Sequence, residues 1–154
     1  MGYAVLILLL LIMLVLIVLR KLKELNQKER VQIRKIRDSA LYNALKPMLE
    51  RARDRTIASV MVTTGEVSIR FLDPAIPAET MRFQEAGLGF LDERVVLSLT
   101  QAIGEEISCL QDEKQYNLIE KRVRSQDGTE QIALMYEIRM DRKAQLLGKS
   151  TNRR

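Results

Sequence analysis

No histidine occurs among the 154 residues. That removes the side chain that most often serves as a general base near neutral pH, and the commonest metal ligand. The reactive groups that remain are one thiol and several carboxylates. Cys109 has no imidazole to take its proton and falls at the end of an apolar helical face, so it is expected to be a buried, inert thiol. A lone cysteine also forbids an intramolecular disulfide, and a reducing compartment is the default. Carboxylates are neighbours at Asp92/Glu93, Glu105/Glu106 and Asp112/Glu113. Adjacent residues on a helix point about 100° apart, so these pairs read as caps and solvated faces rather than as a shared acid–base site. No Asp-rich loop has the spacing of a calcium site. Gly87-Leu88-Gly89 resembles half of a phosphate-cradling loop but lacks its third glycine and its lysine. It reads as a flexible turn, with Leu88, Phe90 and Leu91 as an apolar contact loop. No catalytic residue, cofactor or metal is therefore expected. An enzyme built on this chain would have to gather Asp or Glu with Arg from distant segments.

The net charge of +5 favours anionic partners, a membrane surface or a nucleic acid. Only seven Phe and Tyr residues occur, with no Trp, and they are scattered without the pattern of a base-stacking sheet, so no nucleic acid is expected. The basic residues crowd into one stretch instead. Residues 20–37 hold eight Lys and Arg against two Glu.

That stretch follows an uninterrupted apolar run, YAVLILLLLIMLVLIVL at residues 3–19, free of charge, Pro and Gly. As a helix it spans roughly 26 Å, short but sufficient to cross a bilayer. Its basic residues lie after the run rather than before it, and no small-x-small cleavage site follows, which favours a retained anchor over a cleaved signal peptide. Leu6 stands where a myristoylation signal needs Ser or Thr. No G-x-x-x-G pattern supports close helix pairing in the span. Arg20, Lys21 and Lys23 bias the C-terminal part to the positive side, giving N-terminus out and a cytoplasmic domain at a cell inner membrane or its equivalent. Arg20, Lys21, Lys23 and Lys28 are the expected contacts with anionic lipid headgroups, at roughly 1 kcal/mol for each one close to the surface.

The basic helix then turns amphipathic. Ile33, Ile36, Ala40, Ala44 and Met48 recur at three- and four-residue steps, widened by Leu41, Leu45, Leu49 and Ala52. This stripe either packs on the chain's own sheet or dimerises as a short coiled coil. Pro47 predicts a hinge in the long helix.

Residues 57–72 read as a β-hairpin turning at Gly65, and 77–87 as a short helix with Pro77 at its first position and Gly87 past its end. Asp92 is the expected N-cap of a longer helix carrying Val95, Val96, Leu99, Ala102 and Ile103 on one face. A second hairpin runs from residue 116 to 140 around Asp127-Gly128. A polar, basic, frayed tail follows from Arg142. The expected fold is α+β: an anchor at 1–19, a basic juxtamembrane helix at 20–55, a ββα(α)ββ domain at 56–141 with a four-stranded, mainly antiparallel sheet, and the tail at 142–154.

The expected role, reached by elimination, is a membrane-anchored scaffold, adaptor or assembly subunit. Its partner is a protein or a second copy, contacted through Ile33, Ile36, Ala40, Leu88, Phe90 and Leu91. The alternative is a membrane-tethered regulatory domain binding a small ligand, which needs a pocket of roughly 300 Å³ or more with convergent polar groups.

Overall fold

Thirty-six residues rich in Leu, Lys, Arg, Glu and Gln make one continuous helix, α1 (Gly2–Arg37). Among the described residues nothing packs on its apolar half: the side chains from Val5 to Leu19 are exposed, and none of the most apolar stretch is buried. By length and composition this one helix is able to cross a membrane. The computed structural model describes residues 2–125 and 127–151.

The helix breaks at residues 38–39, not at Pro47 as predicted. Ser39 takes an extended backbone (φ −81°, ψ 154°) and its hydroxyl accepts from the Tyr42 N–H, which caps α2 (Ala40–Arg53). Pro47 lies inside α2, where it cannot donate a hydrogen bond to the preceding turn and its ring crowds the carbonyl four residues back, yet the helix runs on to Arg53.

The sheet has five strands, one more than predicted: β1 (Ile57–Val62), β2 (Glu66–Phe71), β3 (Glu79–Arg82), β4 (Tyr116–Arg124) and β5 (Glu130–Ile138). Their order is β3-β2-β1-β5-β4 and every pairing is antiparallel. Both predicted hairpins are present; residue 126 of the second turn lies outside the described residues. The extra strand replaces the helix expected at 77–87. Its backbone pairs with β2 from Glu66↔Arg82 to Ile69↔Glu79, and Phe83 immediately after it is fully buried. The tail is not frayed either. Residues 140–151 form α4 (Met140–Thr151), with Leu146 packed against the core, and the last three residues of the predicted tail lie outside the described residues.

One face of the sheet carries the core. Val60, Val62, Val67, Ile69 and Tyr136 point there and are buried beneath α2 and α3 (Glu93–Glu106). As predicted, Asp92 caps α3 by accepting from the Arg94 N–H. The opposite face is mixed: Ser68 and Thr80 share a cross-strand hydrogen bond of 3.2 Å, and Met61 and Met135 are half-buried.

α3 lies so close to β5 that a Cβ built on Gly104 would stand 2.4 Å from the Tyr136 hydroxyl and 2.9 Å from its Cζ. Gly104→Ala is therefore expected to destabilise the domain despite a helix-propensity gain of about 1 kcal/mol, with a net cost of about 1–2 kcal/mol. In chemical denaturation Gly104→Ala/Tyr136→Phe should recover part of the loss, because the two changes share one contact.

Candidate functional site

Where the described residues place the chemically capable groups decides what can be built from them. Cys109 lies on a short 3-10 turn (Ser108–Gln111) and is exposed, which corrects the buried thiol expected from the sequence. Enough protein still crowds its sulfur that burial pushes the thiol above its usual range. Of the carboxylate pairs, Glu105 meets Arg37 of α1 while Glu106 meets Arg53 and, at 3.4 Å, the Tyr42 hydroxyl. Adjacent residues on α3 thus clip two different helices. Asp112 is spent on its own turn, accepting from the Lys114 N–H and the Gln115 side chain at 3.0 Å each. Among the described residues no group of three or more Cys, Asp or Glu is placed to hold a metal.

Tyr42 and Tyr116 are both pushed up to about 12, chiefly by burial, and for Tyr42 next by the Glu106 carboxylate. The Tyr116 hydroxyl donates to the Ile57 carbonyl at 2.6 Å, tying β4 to β1. Both phenols hold their proton more tightly folded than unfolded, so their stabilising contribution is full below pH 10. It is lost as pH rises from 10 to about 12. Thermal melts across that window should show a steep loss of stability, less steep in Tyr42→Phe; a melting temperature flat across it would contradict the assignment.

The predicted contact residues divide. Arg20, Lys21, Lys23 and Lys28 are exposed along α1, with Arg20 only 3.9 Å from Glu24. Ile36 is buried and Ile33 packs beside it, so this part of the stripe is covered by the chain's own domain and not offered to a partner. Ala40 is exposed at the first position of α2. Leu88 and Leu91 are half-buried against the core, while Phe90 is 65 % exposed. Its ring rests over Gly65, where a Cβ would meet it at 3.2 Å. The turn is held by Leu88 N–H to the Phe83 carbonyl and Leu91 N–H to the Thr64 carbonyl, each 2.7 Å. Gly87 is the residue that needs a left-handed backbone (φ +74°).

Two surfaces that sequence spacing did not reveal emerge from the register. The first is a cleft of about 310 Å³ at the end of the sheet where β1 turns into β2 and β4 into β5; Glu66, Arg82, Gln84, Phe90, Arg124 and Gln131 are among its walls. Arg82 is shared with Glu66 at 3.7 Å and Glu85 at 3.5 Å. The second is the free edge of β4. This strand pairs with β5 along all nine residues, from Tyr116↔Ile138 to Arg124↔Glu130, and ends the sheet. α3 does not reach over it. Leu118 is 49 % and Leu97 42 % exposed, and a shallow groove of about 190 Å³ between α3 and the sheet is lined by Glu93, Val96, Leu97, Glu120, Ile132 and Leu134. The strand's own charges are Glu120 against Lys121, Arg122 and Arg124.

Compared with protein-family models, with curated proteins and with solved structures, the chain finds no match.

Proposed function

We propose that the chain is a single-pass, membrane-anchored interaction module, non-enzymatic, that presents its domain at the cytoplasmic face and binds an extended segment of another protein along β4. The observation that carries this reading is the open β4 edge, a nine-residue strand with unpaired backbone donors and acceptors on its outer side. Two exposed leucines flank it, one from the strand and one from α3. By the β4 register Leu118, Arg122 and Arg124 share the α3 face while Lys121 lies on the other, so a segment that lays an apolar side chain on Leu97 and Leu118 and, further along the same face, a carboxylate beside Arg122 and Arg124 would complement it.

A second copy in the same bilayer cannot pair with this edge in the antiparallel sense. Gln32 of α1 pairs with Ser98 of α3, and Arg37 with Glu105, so the two helices run parallel. Leu134 lies beside Val96 and Leu97 while Tyr136 abuts Gly104, so β5 follows α3. Strand β4 is antiparallel to β5 and therefore runs against α1. Antiparallel pairing of two β4 strands would point the two anchors in opposite directions, and one membrane cannot take both.

Affinity capture of the full chain from its native membrane in mild detergent tests the reading. A stoichiometric partner is expected with the native chain and is expected to be lost in Leu118→Asp/Arg122→Glu, while the domain's melting temperature is retained. Capture indifferent to that double change would reject β4 as the docking edge.

The cleft beside Phe90 supports a second reading, a domain that senses a small anionic ligand. Its volume reaches the size such a site needs, and Arg82, Arg124, Gln84 and Gln131 converge on it. Stabilisation of the domain by one class of anionic metabolite, abolished by Arg124→Ala, would favour it.

A further inference from the structure

If α1 is an anchor, the fold fixes which end of the domain faces the bilayer. Gln32 and Ser98 are level with one another, and the helices run parallel, so the N-terminus of α3 and the turn before it lie on the side of the apolar half of α1. Twelve residues of helix separate Arg20 from Gln32, about 18 Å, and the five residues back from Ser98 to Glu93 return about 7 Å of that. The level of Glu93 is therefore on the order of 10 Å from that of Arg20, and the Phe90 ring, just ahead of α3, has to bridge the remaining few ångströms to a headgroup layer about 5–8 Å deep.

Two independent observations say what occupies the intervening space. First, Phe90 is 65 % exposed although its turn is held by two short backbone bonds and its ring is seated on Gly65. It is an apolar side chain fixed outward. Second, the α1 stripe that meets the domain continues toward the apolar half. Leu22, Leu25, Glu29, Ile33 and Ile36 recur at three- and four-residue steps, so the leucines point to the domain's side, yet Leu22 and Leu25 are 55 % and 57 % exposed. Among the described residues nothing covers them below the start of α3.

The charge balance rules out an electrostatic contact. Segments 63–66, 82–94 and 124–130, which make this end of the domain, carry six Asp and Glu against three Arg. An anionic surface repels that end, unlike the basic stretch of α1. We propose that the domain touches its own bilayer a second time through an apolar tip, with Phe90 set into the headgroup layer and Leu22 and Leu25 immersed beside it. This rests on the anchored reading above.

The chain has no Trp, so Phe90→Trp supplies a single fluorophore at an exposed site. The full-length variant is reconstituted into phosphatidylcholine nanodiscs, with and without anionic lipid, containing phospholipids brominated near the headgroup or deep in the acyl chains. Leu10→Trp, mid-span, serves as the anchoring control. With shallow bromines Phe90→Trp is expected to lose about half or more of its emission in neutral bilayers, and no more than that in anionic ones. If Leu10→Trp is quenched by deep bromines and Phe90→Trp stays bright, the anchor stands and the second contact is overturned. If quenching of Phe90→Trp requires anionic lipid, the apolar character of the contact is overturned. If neither variant is quenched, the anchored reading fails and takes this one with it.

Discussion

Replacing Phe83 by alanine is expected to lower the unfolding free energy by about 3–5 kcal/mol, a large part of what a domain of this size has. Phe83 is the largest fully buried side chain, and it sits directly after β3. Its backbone carbonyl accepts from the Leu88 N–H and its N–H donates to the Gly65 carbonyl, so the residue whose ring fills the core also ties, through its backbone, the 84–91 turn to the β1–β2 hairpin. Loss of the ring leaves a cavity that the turn alone cannot collapse into. Denaturation should therefore show the full loss, with faster hydrogen exchange in the turn. An effect below about 1 kcal/mol would mean that 77–87 is the surface helix that Pro77 and Gly87 suggested.

Truncating the chain so that it starts at Leu22 is expected to move it wholly from the membrane to the soluble fraction. Each Leu, Ile or Val of residues 3–19 contributes about −0.3 to −0.6 kcal/mol to insertion, several kcal/mol in sum, so Leu10→Arg alone should weaken insertion by about 3 kcal/mol without releasing the protein. Because none of that stretch is buried in the domain, the truncated chain should melt within about 0.5 kcal/mol of the intact one. Lys23 and Lys28 remain in the truncated chain and should leave a weak, salt-sensitive affinity for anionic vesicles. A truncated chain that still pellets with membranes in high salt would show that another part of the molecule holds it there.

The elements that sequence reading placed well were those whose pattern has a single solution. The alternation of Val67, Ile69 and Phe71 fits only a half-buried strand, and Asp92 before a helical apolar face fits only a cap. The errors fall where local signals and tertiary pairing disagree. Pro77 and Gly87 bracket a segment like the ends of a helix, but the open edge of β2 offered backbone partners that a short polar helix could not match, and Glu79–Arg82 became β3. Pro47 looked like the breaker, yet the hydroxyl of Ser39 supplied the cap eight residues earlier. α4 is more polar than apolar, and Leu146 is the side chain that packs it against the core.

The candidate surfaces were harder still to read. Arg82 and Arg124 reach one cleft from distant segments only because of the strand order. Leu118 and Leu97 form an apolar strip because α3 stops short of β4, a packing outcome with no signature in spacing. Phe90 and Leu91 were legible as a contact loop; what spacing could not say is that one of them turns inward.

Cys109 gives the most direct test of the whole account, since it is the chain's one cysteine and it is exposed on the domain. Right-side-out and inverted vesicles carrying the full-length protein would be treated with a membrane-impermeant maleimide, at mildly alkaline pH because burial raises this thiol. Labelling confined to inverted vesicles, with the protein resisting alkaline carbonate extraction, is the predicted result. Labelling from the outer side, or release of the intact chain by carbonate, would contradict a domain anchored at the inner face.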